Sequence, residues 1–149
     1  MTARRTAAVA GLAVLLSAAA GVAGQTQPAA PAQVKKHPID IWLEQCTAKD
    51  ESTLGQTKCL GEAYEKWDAE LNRVYKALAV KLPEAGRAAL KTAQLAWLKF
   101  RDEEFNYLNA LYDPLQGSMY RVVKAADRVD VVRKRALELQ SYLDILEQI

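Results

Sequence analysis

A regular apolar pattern near the C-terminal end of the chain constrains the fold most strongly. Between residues 122 and 146 apolar side chains recur at alternating spacings of three and four, at Val122, Ala125, Val129, Val132, Ala136, Leu139, Leu143 and Leu146. This spacing puts them along one side of an α-helix and is typical of helices in bundles. We therefore predict a long helix whose apolar stripe packs within the chain, with a seam between two copies as the alternative.

Two further long helices are predicted upstream. The second helix of the chain begins around Thr57, and its apolar positions are Tyr64, Trp67, Leu71, Val74, Leu78 and Leu82. Pro83 ends it or opens the next helix, whose apolar positions are Leu90, Ala93, Trp97, Phe100, Phe105, Leu108 and Leu111. Pro114 and Gly117 then predict a turn. With a short helix in "PIDIWLEQCTA", the sequence predicts an all-α protein, a small up-and-down bundle of three long helices plus a short N-terminal helix.

The N-terminal residues resemble a targeting segment rather than part of the bundle. A short basic stretch precedes an apolar run rich in alanine, which is the layout of a secretory signal peptide. We assign residues 1–24 to it, with cleavage after Ala20, Ala23 or Gly24, and a retained membrane anchor as the alternative. Residues 25–38 are polar and rich in proline and alanine, which indicates a flexible spacer. The helical domain is then expected at 39–149.

Removal of this segment also changes the charge of the chain. The full sequence has 20 Lys plus Arg against 18 Asp plus Glu, and the segment contains Arg4 and Arg5 but no acid. The remaining chain is therefore neutral, which gives no support to nucleic-acid binding. We expect a periplasmic or secreted protein with no membrane span after cleavage.

The two cysteines, Cys46 and Cys59, both fall inside the predicted domain. In an exported chain an even pair is most simply a disulfide. A zinc site is disfavoured because His37 is the only histidine, and a nucleophilic cysteine because no histidine lies within the domain. The sequence predicts neither a metal nor any other cofactor.

Polar residues occur at matching levels of the second and third helices. If the two helices run antiparallel with the turn near Pro83, residues equally far from the turn lie side by side, so their numbers sum to about 166. This places Asn72 beside Gln94 and brings Asp68 within reach of Arg101. We predict a polar layer in which Asp68 faces Arg101, Asn72 faces Gln94, and Trp97 packs between them. Such a layer fixes the register of helices more often than it forms a site. Catalysis is disfavoured, because a cation lowers the pKa of a facing carboxylate and makes it a poor acid.

The segments "WDAELNRVY" (67–75) and "AQLAWLKFRD" (93–102), downstream of the two cysteines, resemble the N-terminal domain of LprI-type lysozyme inhibitors. The resemblance implies a small exported helical protein of bacteria that binds and inhibits lysozyme and is not an enzyme. Members of that family commonly carry a further cysteine pair, but here Phe105 and the Ala126–Asp127 region occupy those places. The contact between the third and fourth helices is then expected to rest on apolar packing.

An acidic cluster is the candidate partner-binding surface. The same antiparallel alignment predicts it at the end of the helical hairpin that lies far from Pro83. It comprises Glu62, Glu65, Asp102, Glu103 and Glu104. Lysozymes are commonly basic, so such a cluster could steer binding. The alternative function is a periplasmic scaffolding module with another envelope partner, and an enzyme acting on cell-wall glycan is disfavoured because no motif marks a cleft with two carboxylates. A monomer or weak dimer is expected.

Overall fold

The computed structural model describes residues 36–148 and shows four α-helices. They are α1 (Pro38–Thr47), α2 (Thr53–Lys81), α3 (Glu84–Tyr112) and α4 (Met119–Glu147). The all-α class and the short first helix are confirmed. The assigned signal peptide, residues 25–35 of the spacer and Ile149 lie outside the described residues.

Polar side chains cap both α1 and α2, and α2 begins earlier than the sequence indicated. The Oγ atom of Ser52 accepts from the backbone N–H of Gly55 at 3.0 Å, so α2 starts one turn before Thr57. A Cβ atom at Gly55 would lie 2.2 Å from the Asp50 carboxyl carbon, so this glycine makes room for Asp50 rather than ending a helix. Nδ1 of His37 accepts from the Ile39 N–H at 3.2 Å, so the ordered structure includes the last residues of the expected spacer.

Two short connections set the direction of the long helices. Only Leu82 and Pro83 join α2 to α3, and the turn between α3 and α4 contains Gly117 at φ 115°, a left-handed conformation that favours glycine. Consequently α3 runs antiparallel to its neighbours, while α2 and α4 are parallel. Polar contacts fix the parallel register at an offset of 65 to 67 residues: Thr53–Ser118, Arg73–Gln140 and Lys81–Glu147.

The hydrophobic core lies between α2 and α4. Its buried members on α2 are Leu60, Ala63, Trp67, Leu71, Val74 and Leu78, and those on α4 are Val129, Val132, Ala136, Leu139 and Leu143. Spacing predicted all five buried residues of α4 and four of the six on α2, but not Leu60 and Ala63. Since the α4 stripe is covered by α2, its predicted packing within the chain is confirmed.

Helix α3 contributes much less to this core than predicted. Leu108 is its one buried residue, and Leu90, Trp97 and Phe105 are partly buried against the core. The assignment of Phe100 and Leu111 to the apolar contact face is wrong, since they are 55% and 40% exposed. Because α2 and α4 already cover each other, α3 needs to contact them along only one edge.

Candidate functional site

A disulfide joins α1 to α2. Cys46, near the end of α1, is bonded to Cys59 in the second turn of α2, with 5.8 Å between their Cα atoms. The predicted pairing is therefore present. Since α1 has no fully buried residue and packs on the core only through the partly buried Ile39, Trp42 and Leu43, this covalent link adds to a modest apolar contact.

The other contacts of α1 centre on Trp67, whose side chain is fully buried. The imidazole of His37 lies against one part of the indole, with ring centroids 4.4 Å apart, and the guanidinium of Arg133 lies 5.6 Å from the same ring. Arg133 also donates to both carboxylate oxygens of Asp40 at 2.8 to 3.1 Å. This hydrogen bonding to Asp40 raises the pKa of Arg133, and it ties α1 to α4.

The predicted polar layer is only partly formed. Asp68, Asn72 and Gln94 line one groove of about 250 Å³ between α2 and α3. The predicted antiparallel alignment therefore placed these three residues correctly. The two predicted pairings across the helices are wrong, however. Asn72 Nδ2 donates to Asp68 within α2 at 3.0 Å, and Arg101 donates to the adjacent Asp102 at 2.7 Å. Each of these side chains instead has a partner on its own helix.

Gln94 and Trp97 instead face arginines. Gln94 Oε1 accepts from Arg135 Nε at 3.1 Å, which links α3 to α4. The guanidinium groups of Arg101 and Arg135 lie 5.8 and 6.0 Å from the Trp97 ring. The Trp97 ring therefore contacts two guanidinium groups, instead of lying between the predicted Asn72–Gln94 and Asp68–Arg101 pairs.

Further polar contacts hold the C-terminal half of α3 to α4. The Arg128 guanidinium lies 5.0 Å from the Phe105 ring and its Nη2 donates to Asn109 at 2.9 Å. The Tyr112 hydroxyl donates to Asp127 at 2.8 Å, and this hydrogen bond raises the pKa of Tyr112. The expected apolar packing is present, through Leu90, Trp97 and Phe105 against the core, but cation–π and hydrogen-bond contacts accompany it.

The positions of these arginines follow a pattern in the sequence that the apolar positions alone do not show. On α4 basic residues recur at spacings of three, four and seven, at Arg121, Lys124, Arg128 and Arg135. That spacing forms a stripe beside the apolar one. A basic stripe next to a helix that carries Trp97 and Phe105 indicates guanidinium–ring packing.

The acidic cluster lies on the surface, but not at the end of the hairpin. Because α2 begins at Thr53, Glu62 and Glu65 lie about two turns or more inside that end. Consecutive residues point about 100° apart around a helix, so Asp102, Glu103 and Glu104 spread around α3 rather than sharing one face. Glu65, Asp102 and Glu103 are exposed, and within residues 36–148 only Asp102 has an ionic partner, Arg101.

The described residues show neither a metal-binding cluster nor a helix that could cross a membrane. Across residues 36–148 no three His, Cys, Asp or Glu side chains are grouped so as to hold a metal ion. None of the four helices is both long and apolar enough to cross a membrane.

The described residues thus form a small disulfide-linked helical bundle in which no charged side chain is fully buried. Residues 45–139 match the family described as "Lysozyme inhibitor LprI". The chain therefore belongs to the LprI lysozyme inhibitor family, and the resemblance inferred from the two helical motifs is confirmed.

Two relatives are similar over much of the bundle. An uncharacterized protein of Rhizobium meliloti (strain 1021) is 26% identical over 102 residues, covering 60% of this chain and 72% of that protein. The crystal structure of a putative uncharacterized protein from Burkholderia thailandensis superposes with a TM-score of 0.71 at 34% identity. The match covers 75% of this chain but only 56% of that one, so this chain spans little more than half the length of its solved relative.

Proposed function

We propose that this chain is an exported protein that binds and inhibits lysozyme by protein–protein contact and has no enzymatic activity of its own. The observation that carries the proposal is its membership of the LprI lysozyme inhibitor family over residues 45–139. The signal peptide inferred from residues 1–24 supports export, which would bring the protein into the compartment where lysozyme acts.

The acidic cluster supports a particular binding surface. Lysozymes are commonly basic, so exposed carboxylates would raise the rate of encounter and orient the partner. Glu65 and Glu103 are exposed and have no ionic partner among residues 36–148, so their charge is free to act on a partner. Asp102, which pairs with Arg101, and Glu104 project from other sides of α3 than Glu103, so a partner at this surface would contact Glu103 most directly.

The experiment is an inhibition assay with purified protein, lysozyme and a suspension of bacterial cell walls. We expect the wild-type protein to inhibit lysis in a concentration-dependent way. Reversing three charges, with Asp102→Lys, Glu103→Lys and Glu104→Lys, should weaken inhibition on the order of tenfold and flatten its dependence on salt.

A matched control changes the net charge equally at the opposite end of the bundle. Glu84, Asp144 and Glu147 are all exposed there, and their replacement by lysine should leave inhibition close to wild type. Equal loss in both triple variants would discard the acidic cluster as the binding surface and leave only a net-charge effect. Thermal unfolding of each variant checks that the bundle remains folded.

The alternative is a scaffolding role with another envelope protein. In that case the wild-type protein would fail to inhibit lysozyme and to bind it when immobilised. A pull-down from envelope extract would then recover a different partner, and its loss in the acidic triple variant would assign the same surface to that partner.

A further inference from the structure

An open cleft of about 630 Å³ lies between the N-terminal half of α2, the N-terminal half of α4 and Phe105 of α3. Leu60 and Ala125 provide an apolar floor, and Tyr64 and Phe105 form an aromatic wall with ring centroids 6.0 Å apart. The volume lies within the range typical of small-molecule sites. The cleft follows about two turns of each parallel helix, roughly 10 Å, so its shape suits an extended apolar chain.

The polar groups that line the cleft are predominantly cationic. Arg121, Lys124 and Arg128 line it, and none of its lining residues is acidic. Lys124 forms an ion pair with Asp113 outside the cleft. In the described part of the chain Arg121 has no side-chain partner, and Arg128 bonds only to the neutral Asn109 while its Nε is buried without a partner. A cleft with apolar walls and surplus positive charge concentrates a positive potential.

Gly61 keeps this cleft open. It lies in the interior of α2 and lines the cleft, although glycine is an unfavourable residue within a helix. A Cβ atom added at Gly61 would meet nothing within 4 Å. Packing of the bundle therefore does not require a glycine there, whereas a long side chain at this position would occupy the cleft.

We propose that the cleft binds a single-chain amphiphile with an anionic head group, such as an acyl carboxylate. The chain would lie on Leu60 and Ala125 beside the two aromatic rings, and the head group would accept hydrogen bonds from Arg121 and Arg128. This binding is separate from the proposed inhibition of lysozyme, which uses surface carboxylates and would stand or fall independently.

Calorimetric titration with octanoate, octanol and acetate tests the proposal. We expect octanoate to bind one to one, octanol at least about tenfold more weakly because it lacks the charge, and acetate not measurably because it lacks the chain. Equal binding of octanol and octanoate, or no binding of octanoate, would overturn the proposal.

Variants with matched controls locate the site. Gly61→Leu should abolish octanoate binding, whereas Gly61→Ala should retain it, and both should unfold at the same or a higher temperature than wild type because the helix gains a better former. Arg121→Gln should weaken binding about tenfold, while Lys134→Gln, an equal charge change at an exposed position of α4 outside the cleft, should not. Unchanged binding in Gly61→Leu would place the octanoate elsewhere and refute the assignment.

Discussion

Three arginines of α4 each make two different contacts at once. Arg128, Arg133 and Arg135 lie 5.0, 5.6 and 6.0 Å from an aromatic ring centroid on α3 or α2. Each guanidinium also donates a hydrogen bond to a polar side chain of α3 or α1. A planar guanidinium can stack and donate in its plane simultaneously, whereas a lysine ammonium cannot. These side chains therefore add polar and cation–π contacts between α4 and its neighbours α1, α2 and α3.

Double-mutant cycles distinguish the observed ion pair from the one expected from the sequence. Asp40 and Arg133 form a bidentate, partly buried pair, so their replacements by alanine should couple by about 1 kcal/mol in the free energy of unfolding. Asp68 and Arg101 have other partners, so their alanine replacements should add within about 0.5 kcal/mol. Denaturant unfolding measures both cycles. Comparable coupling in the two cycles would contradict the described arrangement of α3.

At the scale of the elements, burial is distributed unequally among the three long helices. Five residues of α4 and eight of α2 are buried, against one of α3. Truncating the same residue type should therefore lower the free energy of unfolding by very different amounts on different helices. The decrease depends on the apolar surface that was buried and on the cavity left behind.

A matched leucine pair tests this asymmetry. Leu139 of α4 is fully buried and Leu95 of α3 is 53% exposed. Leu139→Ala should lower the free energy of unfolding by about 2–5 kcal/mol, whereas Leu95→Ala should change it by less than about 0.5 kcal/mol. Urea unfolding of both variants gives the comparison. A similar loss at Leu95 would mean that the outer side of α3 is covered in solution.

The sequence could predict the helices and their register, but not which partner each polar side chain bonds. Apolar spacing identifies the buried side of α2 and α4, since each stripe depends only on its own helix. The antiparallel alignment of α2 and α3 likewise put Asn72 and Gln94 in one groove. Asn72 bonds to Asp68 on its own helix, and Gln94 bonds to Arg135 of α4. Helical spacing does not decide between such competing partners, so the predicted polar pairings were wrong.

At the scale of the whole molecule, α1 lies on the outside of the core that α2 and α4 form. It has no fully buried residue, but Ile39, Trp42 and Leu43 pack partly buried against the core. The disulfide, the Asp40–Arg133 pair and the contact of His37 with Trp67 add specific links. Elements with few buried contacts open at lower free energy than the core. We therefore expect the disulfide to limit local opening of α1 as well as to stabilise the whole chain against unfolding.

Removing the disulfide should consequently have both a global and a local effect. The double variant Cys46→Ala and Cys59→Ala loses a link between residues 13 positions apart, and its free energy of unfolding should fall by about 3 kcal/mol. Hydrogen exchange should accelerate most over Pro38–Thr47 and least over the facing parts of α2 and α4, because the core between these two does not include α1. Adding a thiol reductant should reproduce this pattern in the wild-type protein and change nothing in the variant. Equal acceleration in α1 and α4 would show that the bundle opens as one unit and that α1 is not a separately tethered element.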